Sequence, residues 1–395
     1  MDVFMRKTQV LLSTLLTMSV TCAASYSKVE ATQPPVAVKL FDNLSRTDFG
    51  TDMHGEKIDL FTLTNANGMV AKVMTYGATL TELRVPDKRR KSVDIVLGFD
   101  SLRPYEEQSS YFGATIGRYA NRISGAKFAI DGKDYFLAPN SSHNTLHGGI
   151  RGFDKRLWQA EPLHENGIAA VKFTYVSKDM EEGFPGNLTA TVTYSLNNEN
   201  ELKIVYTAST DKPTPINLTN HAYFDLAGAG FESVLKHQLR INADSYTPVN
   251  KELIPTGTIE PVKGTPFDFT EPREIGKDIE KVSGGYDHNF VLRGQKGELR
   301  EAAVVVEPIS GRTLTMLTTE PGVQFYSGNF LDGTIRGIGG VYSKHWGFTL
   351  EAQHYPDSVH HSDWPNTILQ PGQSYTQTTV YRFSQGVSHA NWLHN

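Results

Sequence analysis

Period-two alternation constrains this chain more than any other feature. It recurs in Ala170-Val-Lys-Phe-Thr-Tyr-Val176, Ala190-Thr-Val-Thr-Tyr194, Leu202-Lys-Ile-Val-Tyr-Thr207 and Arg312-Thr-Leu-Thr-Met-Leu-Thr318. Successive side chains on a strand point to opposite faces, so such runs bury one face and wet the other. Val, Thr, Tyr and Phe suit that pleated, half-buried surface. Asp131-Gly132, Asn197-Asn-Glu-Asn200 and Ser310-Gly311 punctuate the runs. Asn197–Asn200, between two alternating runs, predicts a hairpin. Helical patterns are short and confined to Asp100–Ser109 and Glu271–Val282. No Gly-rich loop joins a strand to a helix, which argues against a doubly wound nucleotide-binding fold. The expectation is an all-β protein, a large antiparallel β-sandwich with a few short helices.

The chain has 395 residues, 39% apolar and 21% charged, enough to bury a large core. It shows no linker and no repeat of 20–50 residues. Arg6 and Lys7 precede an apolar run from Val10 to Val20, followed by small residues from Thr21 to Ser25. That order is the order of a cleaved signal peptide, and the run is too short to span a bilayer. The expected organisation is a signal peptide at 1–24, a polar leader at 25–40 and one β-sandwich domain at 41–395. An exported protein, periplasmic or secreted, without stable membrane insertion follows from it. Cys22, the only cysteine, lies in the signal segment. The domain itself would then hold no thiol for a disulfide, a nucleophile or a metal. A net charge of −5 argues against nucleic acid as a partner. A monomer or homodimer is expected.

Polar clusters stand out against this β background. Arg118, Asn121 and Arg122 make one segment rich in donors, and Arg presents a planar fork that grips two oxygens. The alternative for Arg118 is a tie to loop carbonyls. His147 precedes Gly148-Gly149, where backbone can approach a ligand closely. His221 lies among Asn217, Asn220 and Tyr223, and a free imidazole titrates near neutrality. Asp287 follows Gly284-Gly285, as either a hydroxyl acceptor or a turn cap. Gln324 sits in Pro321-Gly-Val-Gln-Phe-Tyr-Ser327. Glu351 closes the apolar run Trp346-Gly-Phe-Thr-Leu-Glu351, where desolvation would raise its basicity. His354, His360 and His361 follow it but match no zinc spacing, and no Gly-x-Ser-x-Gly elbow appears. Neither a metal nor any other cofactor is expected.

Taken in order, these segments resemble a known family. Phe112-Gly-Ala…Gly117-Arg118…Asn121-Arg122-Ile, Leu146-His147-Gly-Gly…Arg151-Gly-Phe-Asp-Lys155 and Asn217-Leu-Thr-Asn-His221-x-Tyr-Phe-Asp-Leu-Ala-Gly are three of its motifs. Tyr286-Asp287-His-Asn-Phe290, Pro321-Gly-Val-Gln324-Phe-Tyr-x-Gly-Asn-Phe330 and Leu350-Glu351-x-Gln353 complete the set. They resemble aldose 1-epimerases, also called galactose mutarotases, from about residue 45 to the C-terminus. The resemblance implies a large β-sandwich of the mutarotase type, no cofactor and a small aldose such as glucose or galactose as substrate. It implies His221 as general acid and Glu351 as general base. Asn121, Arg122, His147, Tyr223, Asp287 and Gln324 would contact sugar hydroxyls. Glu351 would take a proton from the anomeric hydroxyl while His221 protonates the ring oxygen. His221 must then hold a proton before turnover, and Asp287 is expected to raise its pKa. The competing reading is a non-catalytic carbohydrate-binding protein on the same fold.

Overall fold

Each of the four alternating runs lies within a strand: Ile168–Ser177, Leu188–Leu196, Glu201–Thr210 and Arg312–Thr318. The computed structural model describes residues 36–108, 110–165 and 167–386. The expected signal segment 1–24 and residues 25–35 of the leader lie outside the described residues. The end of the leader is structured, because Val38–Phe41 pairs antiparallel with Leu44–Thr51.

Three antiparallel sheets dominate. A nine-stranded sheet runs in the order Gln159–Glu165, Ile168–Ser177, Leu188–Leu196, Glu201–Thr210, Tyr375–Gln385, Arg312–Thr318, Arg300–Val306, Gln238–Ile241 and Arg273–Glu274. The last of the described strands therefore lies at its middle. A six-stranded meander takes Val38–Phe41 to Ser92–Asp94 in chain order. A second six-stranded sheet orders Tyr223–Phe224, Phe348–Gln353, Gly322–Tyr326, Asp287–Leu292, Ala243–Thr247 and Glu260–Pro261.

Local chemistry explains the turns. Asn197 Oδ1 accepts from the amides of Glu199 and Glu201, closing the predicted hairpin. Asp131 and Gly132 have φ of 51° and 77°, the left-handed pair that a tight hairpin needs. One buried cluster joins all three sheets through Leu63 and Val73, Val171 and Ile204, and Phe290, Val323 and Leu350. Burying such a side chain is worth about 1.5–3 kcal/mol, so this layer decides which face of each strand turns inward. Phe61 meets Phe173 edge-on at 6.0 Å, and Tyr381 donates to the Leu350 carbonyl at 3.1 Å.

The helix Leu102–Glu107 falls inside the expected Asp100–Ser109. The second expected helix, Glu271–Val282, is absent. Arg273–Glu274 joins the edge of the large sheet, and Ile279–Lys281 is one 3₁₀ turn. The amides of Ile275 and Gly276 bond to the carbonyls of His237 and Leu235, so tertiary pairing displaces the local helical pattern. Among the described residues, no helix is long and apolar enough to cross a membrane.

Candidate active site

The second six-stranded sheet supplies one wall of the site. Phe348, Leu350 and Ala352 enter the core, as do Val323 and Phe325 of the next strand. Alternation sends Thr349, Glu351, Gln353, Gln324 and Tyr326 to the other face. Register then aligns them: Asn289, Gln324 and Glu351 are direct neighbours across three strands. Asp287, Tyr326, Thr349 and Tyr223 form the adjoining row.

Loops supply the facing wall. Arg122–Ile123 pairs with Thr145–Leu146, which brings Asn121 beside His147. The His147 amide donates to the Asn121 carbonyl at 2.9 Å, and the Asn121 amide donates to His147 Nδ1 at 3.2 Å. With Nδ1 accepting, the ring proton belongs on Nε2. Tyr111, Asn121 and His147 hold φ of 66°, 60° and 53°, backbone that non-glycine residues seldom adopt. A Cβ on Gly148, φ 87°, would run into the Gly117 carbonyl.

Together these walls enclose a cavity of about 290 Å³ lined by Tyr111, Asn121, Arg122, His147, His221, Tyr223, Asp287, Tyr326, Phe330 and Glu351 among others. Its size is at the small end for ligand pockets. A wider cleft of about 660 Å³ shares Asp287 and Phe330 with it. Asp287 is held in place: Gln324 Nε2 donates to its Oδ1 at 2.6 Å, and Arg122 lies 3.8 Å from its Oδ2. Gln353 in turn approaches Gln324 at 3.5 Å. The rings of His221 and His147 lie 5.0 Å apart, as do those of His221 and Tyr223.

His221 Nε2 lies 3.7 Å from Glu351 Oε1, and both residues are almost fully buried. Burial disfavours charge on either group. It lifts Glu351 to about 8, against the opposing pull of the Thr349 hydroxyl, which donates to Oε1 at 2.8 Å. It lowers His221 to about 4. Asp287 and Asp154 act in the opposite direction on His221 but are outweighed. The expected rise in the His221 pKa is thus corrected: Asp287 pulls as anticipated, and desolvation wins. Both shifts favour the uncharged form of the pair, with the proton on Glu351 and a neutral imidazole. That form and the ion pair hold the same number of protons, so they are tautomers of one site.

Seven of the eight residues expected in the site line this cavity. Gln324 does not; it sits behind Asp287 and anchors it. Tyr111, Tyr326, Phe330 and Thr349 were not anticipated. Tyr326 and Phe330 fall inside the Pro321–Phe330 motif, and Thr349 is two residues from Glu351 on one strand face, a spacing that strand periodicity alone makes visible. Arg118 is structural: its guanidinium donates to the carbonyls of Pro185, Gly186, Ser177 and Lys178 and to the Thr214 and Ser177 hydroxyls. The histidines after Glu351 separate. His354 pairs with Glu320 at 2.6 Å and His360 with Asp357 at 2.6 Å. Among the described residues, His147, His221 and Glu351 bring ligand-type atoms within 4.8 Å of one another, a spread that suits an ion or the clustered oxygens of one small molecule.

An acid/base pair in a small polar cavity on a β-sandwich suits proton transfer on a small polar molecule such as a sugar. Residues 59–382 match the family model described as aldose 1-epimerase. The chain is 49% identical to the galactose mutarotase of Pongo abelii over 79% of its length and 90% of that relative's. It is 46% identical to that of Rattus norvegicus over 87% and 99%. The crystal structure of an aldose epimerase homologue from C. elegans superimposes with a TM-score of 0.74 at 32% identity, covering 82% of this chain and 98% of that one. The chain belongs to the aldose 1-epimerase family. It is an isomerase, and the non-catalytic sugar-binding alternative is set aside.

Export is corrected by the same relatives. The mammalian galactose mutarotases that the chain matches at 46–49% identity are cytosolic. A short apolar run behind Arg6 and Lys7 has the order of a signal without being enough to define one.

Proposed function

We propose that Glu351 and His221 are the acid/base pair that interconverts the α and β anomers of a free aldohexose. The observation that carries this is their 3.7 Å separation within one buried, hexose-sized cavity. The anomeric hydroxyl and the ring oxygen are bonded to the same carbon, so groups serving them must lie close together. Glu351 carboxylate removes the anomeric proton, the C1–ring-oxygen bond breaks as the carbonyl forms, and His221 protonates the released oxygen. Rotation about C1–C2 turns the other face of the aldehyde to the pair. Ring closure then runs the two transfers backwards. The sugar's hydroxyls bring polar groups into the cavity, favouring the charged tautomer that opens the ring. Each positioned group contributes about 10²–10⁴-fold, so no covalent intermediate is needed.

Asn121, Arg122, His147, Tyr223 and Asp287 hold the remaining hydroxyls, with Gln324 acting through Asp287. The relatives' names point to galactose as one substrate, and glucose differs from it at a single hydroxyl. One sandwich domain, residues 41–395, carries the whole activity. The test is polarimetry on fresh α-D-galactose and α-D-glucose with the wild type, Glu351→Gln and His221→Asn. Each variant should lose at least about 10²-fold in kcat. Full rate in either one removes that residue from its role.

A further inference from the structure

Glu351 has two oxygens in different surroundings. Oε1 accepts from the Thr349 hydroxyl at 2.8 Å and is the oxygen nearest His221 Nε2, at 3.7 Å. Oε2 is buried without a partner. Thr349 is itself fully buried, and its place is fixed by Tyr223 and Tyr326, which stand directly opposite it on the two flanking strands. Its β-branched side chain has little χ1 freedom. The separation of 3.7 Å is too long for a hydrogen bond, so the carboxylate and the imidazole are near but not joined.

We propose that Thr349 is a positioning residue, which occupies Oε1 so that the acid and the base cannot close on each other and Oε2 is left to exchange the proton with the anomeric hydroxyl. This rests on Glu351 being the base. In ring opening the O–H bond of the anomeric hydroxyl breaks and a bond from Oε2 to that proton forms. The electron pair left on the hydroxyl oxygen becomes the carbonyl π bond. The C1–ring-oxygen pair departs to the ring oxygen, which takes the proton from His221. If Oε1 instead met the imidazole directly, the two groups would close on each other as a hydrogen-bonded pair and neither would be free for the sugar. The threonine therefore keeps both groups open to the sugar. Its donated hydrogen bond also favours the charged carboxylate, opposing burial.

The test compares Thr349→Val, which keeps the branched shape and removes the O–H, with Thr349→Ser, which keeps the donor. Both are assayed by polarimetry across pH, alongside thermal melts. One hydrogen bond to a charged group is worth about 1.5 kcal/mol, or about 10-fold. Thr349→Val is therefore expected to lose about 10-fold in kcat at neutral pH with KM nearly unchanged, and to move the alkaline limb upward by about one unit. Thr349→Ser should recover most of the rate and the wild-type limb. A wild-type rate and limb in Thr349→Val overturns the inference. So does a loss with an unmoved limb that Thr349→Ser fails to restore, which marks a purely structural role. Glu351→Gln separates the two levels. If that variant is inactive while Thr349→Val is normal, only the threonine's role falls. If Glu351→Gln is itself active, the base assignment fails and the threonine's role with it.

Discussion

Replacing Glu351 with Gln should stabilise this enzyme at alkaline pH while abolishing its chemistry. In the unfolded chain the carboxyl loses its proton near 4.5, and in the fold it keeps it to about 8. Below 4.5 both states are protonated and the group has no effect. Above it the unfolded chain gains by ionising while the buried group cannot, so the native state loses about 1.4 kcal/mol per pH unit. The loss saturates above pH 8 at about 5 kcal/mol. A buried amide does not titrate, so any fixed effect of the substitution is the same at every pH and only the trend matters. The stability of Glu351→Gln relative to the wild type should rise by about 3.5 kcal/mol between pH 5 and pH 8. Unfolding entropy of about 2 cal/mol/K per residue gives about 0.7 kcal/mol/K for a domain of this size, so the gap in Tm should widen by about 5 °C. Melts of both proteins by calorimetry or circular dichroism across that range provide the assay. Parallel Tm profiles would show that Glu351 is not buried as a neutral acid, and the reading of the pair as two tautomers would fail.

The pair holds a single proton only between the two pKa values, so kcat/KM should be bell-shaped, falling below about 4 as His221 gains a proton and above about 8 as Glu351 loses one; a profile flat well past both limbs would remove the pair from catalysis. Asp287→Asn should raise KM by about 10-fold or more through the loss of a charge-assisted hydrogen bond to the sugar, read from steady-state polarimetry, and an unchanged KM would place the hydroxyl contacts elsewhere. Arg118→Met should cost at least about 3 kcal/mol in denaturant melts, because several buried carbonyls lose their donor, while KM of whatever folds stays near the wild-type value. A large change in KM with normal stability would return Arg118 to the site.

The strands were legible because their signal is local. Alternation over seven residues in Arg312–Thr318 names the strand and its buried face with no knowledge of its partner. The failure at Glu271–Val282 has the opposite cause: its backbone bonds to His237 and Leu235, about 40 residues away, and no window of sequence contains that pairing. His221 and Glu351 were found by chemical type and by resemblance, and their proximity depends on the register between distant strands. The pKa of His221 was misjudged because one charged neighbour can be guessed, whereas the desolvation that outweighs it is a sum over the whole surrounding fold. Tyr111 escaped notice because its place on the cavity wall comes from a loop with φ of 66° and leaves no pattern. Arg118 read equally well as a ligand donor or a loop tie, and only the carbonyls around it decide.

The position of Tyr375–Gln385 between Glu201–Thr210 and Arg312–Thr318 bears on how the molecule is made. During synthesis the two halves of the large sheet emerge long before the strand that joins them, and each waits with an open edge. Unpaired edges of that kind invite pairing with other chains. A nonsense mutation or proteolytic clip that removes only this final strand would thus leave two unjoined half-sheets rather than a slightly shortened enzyme.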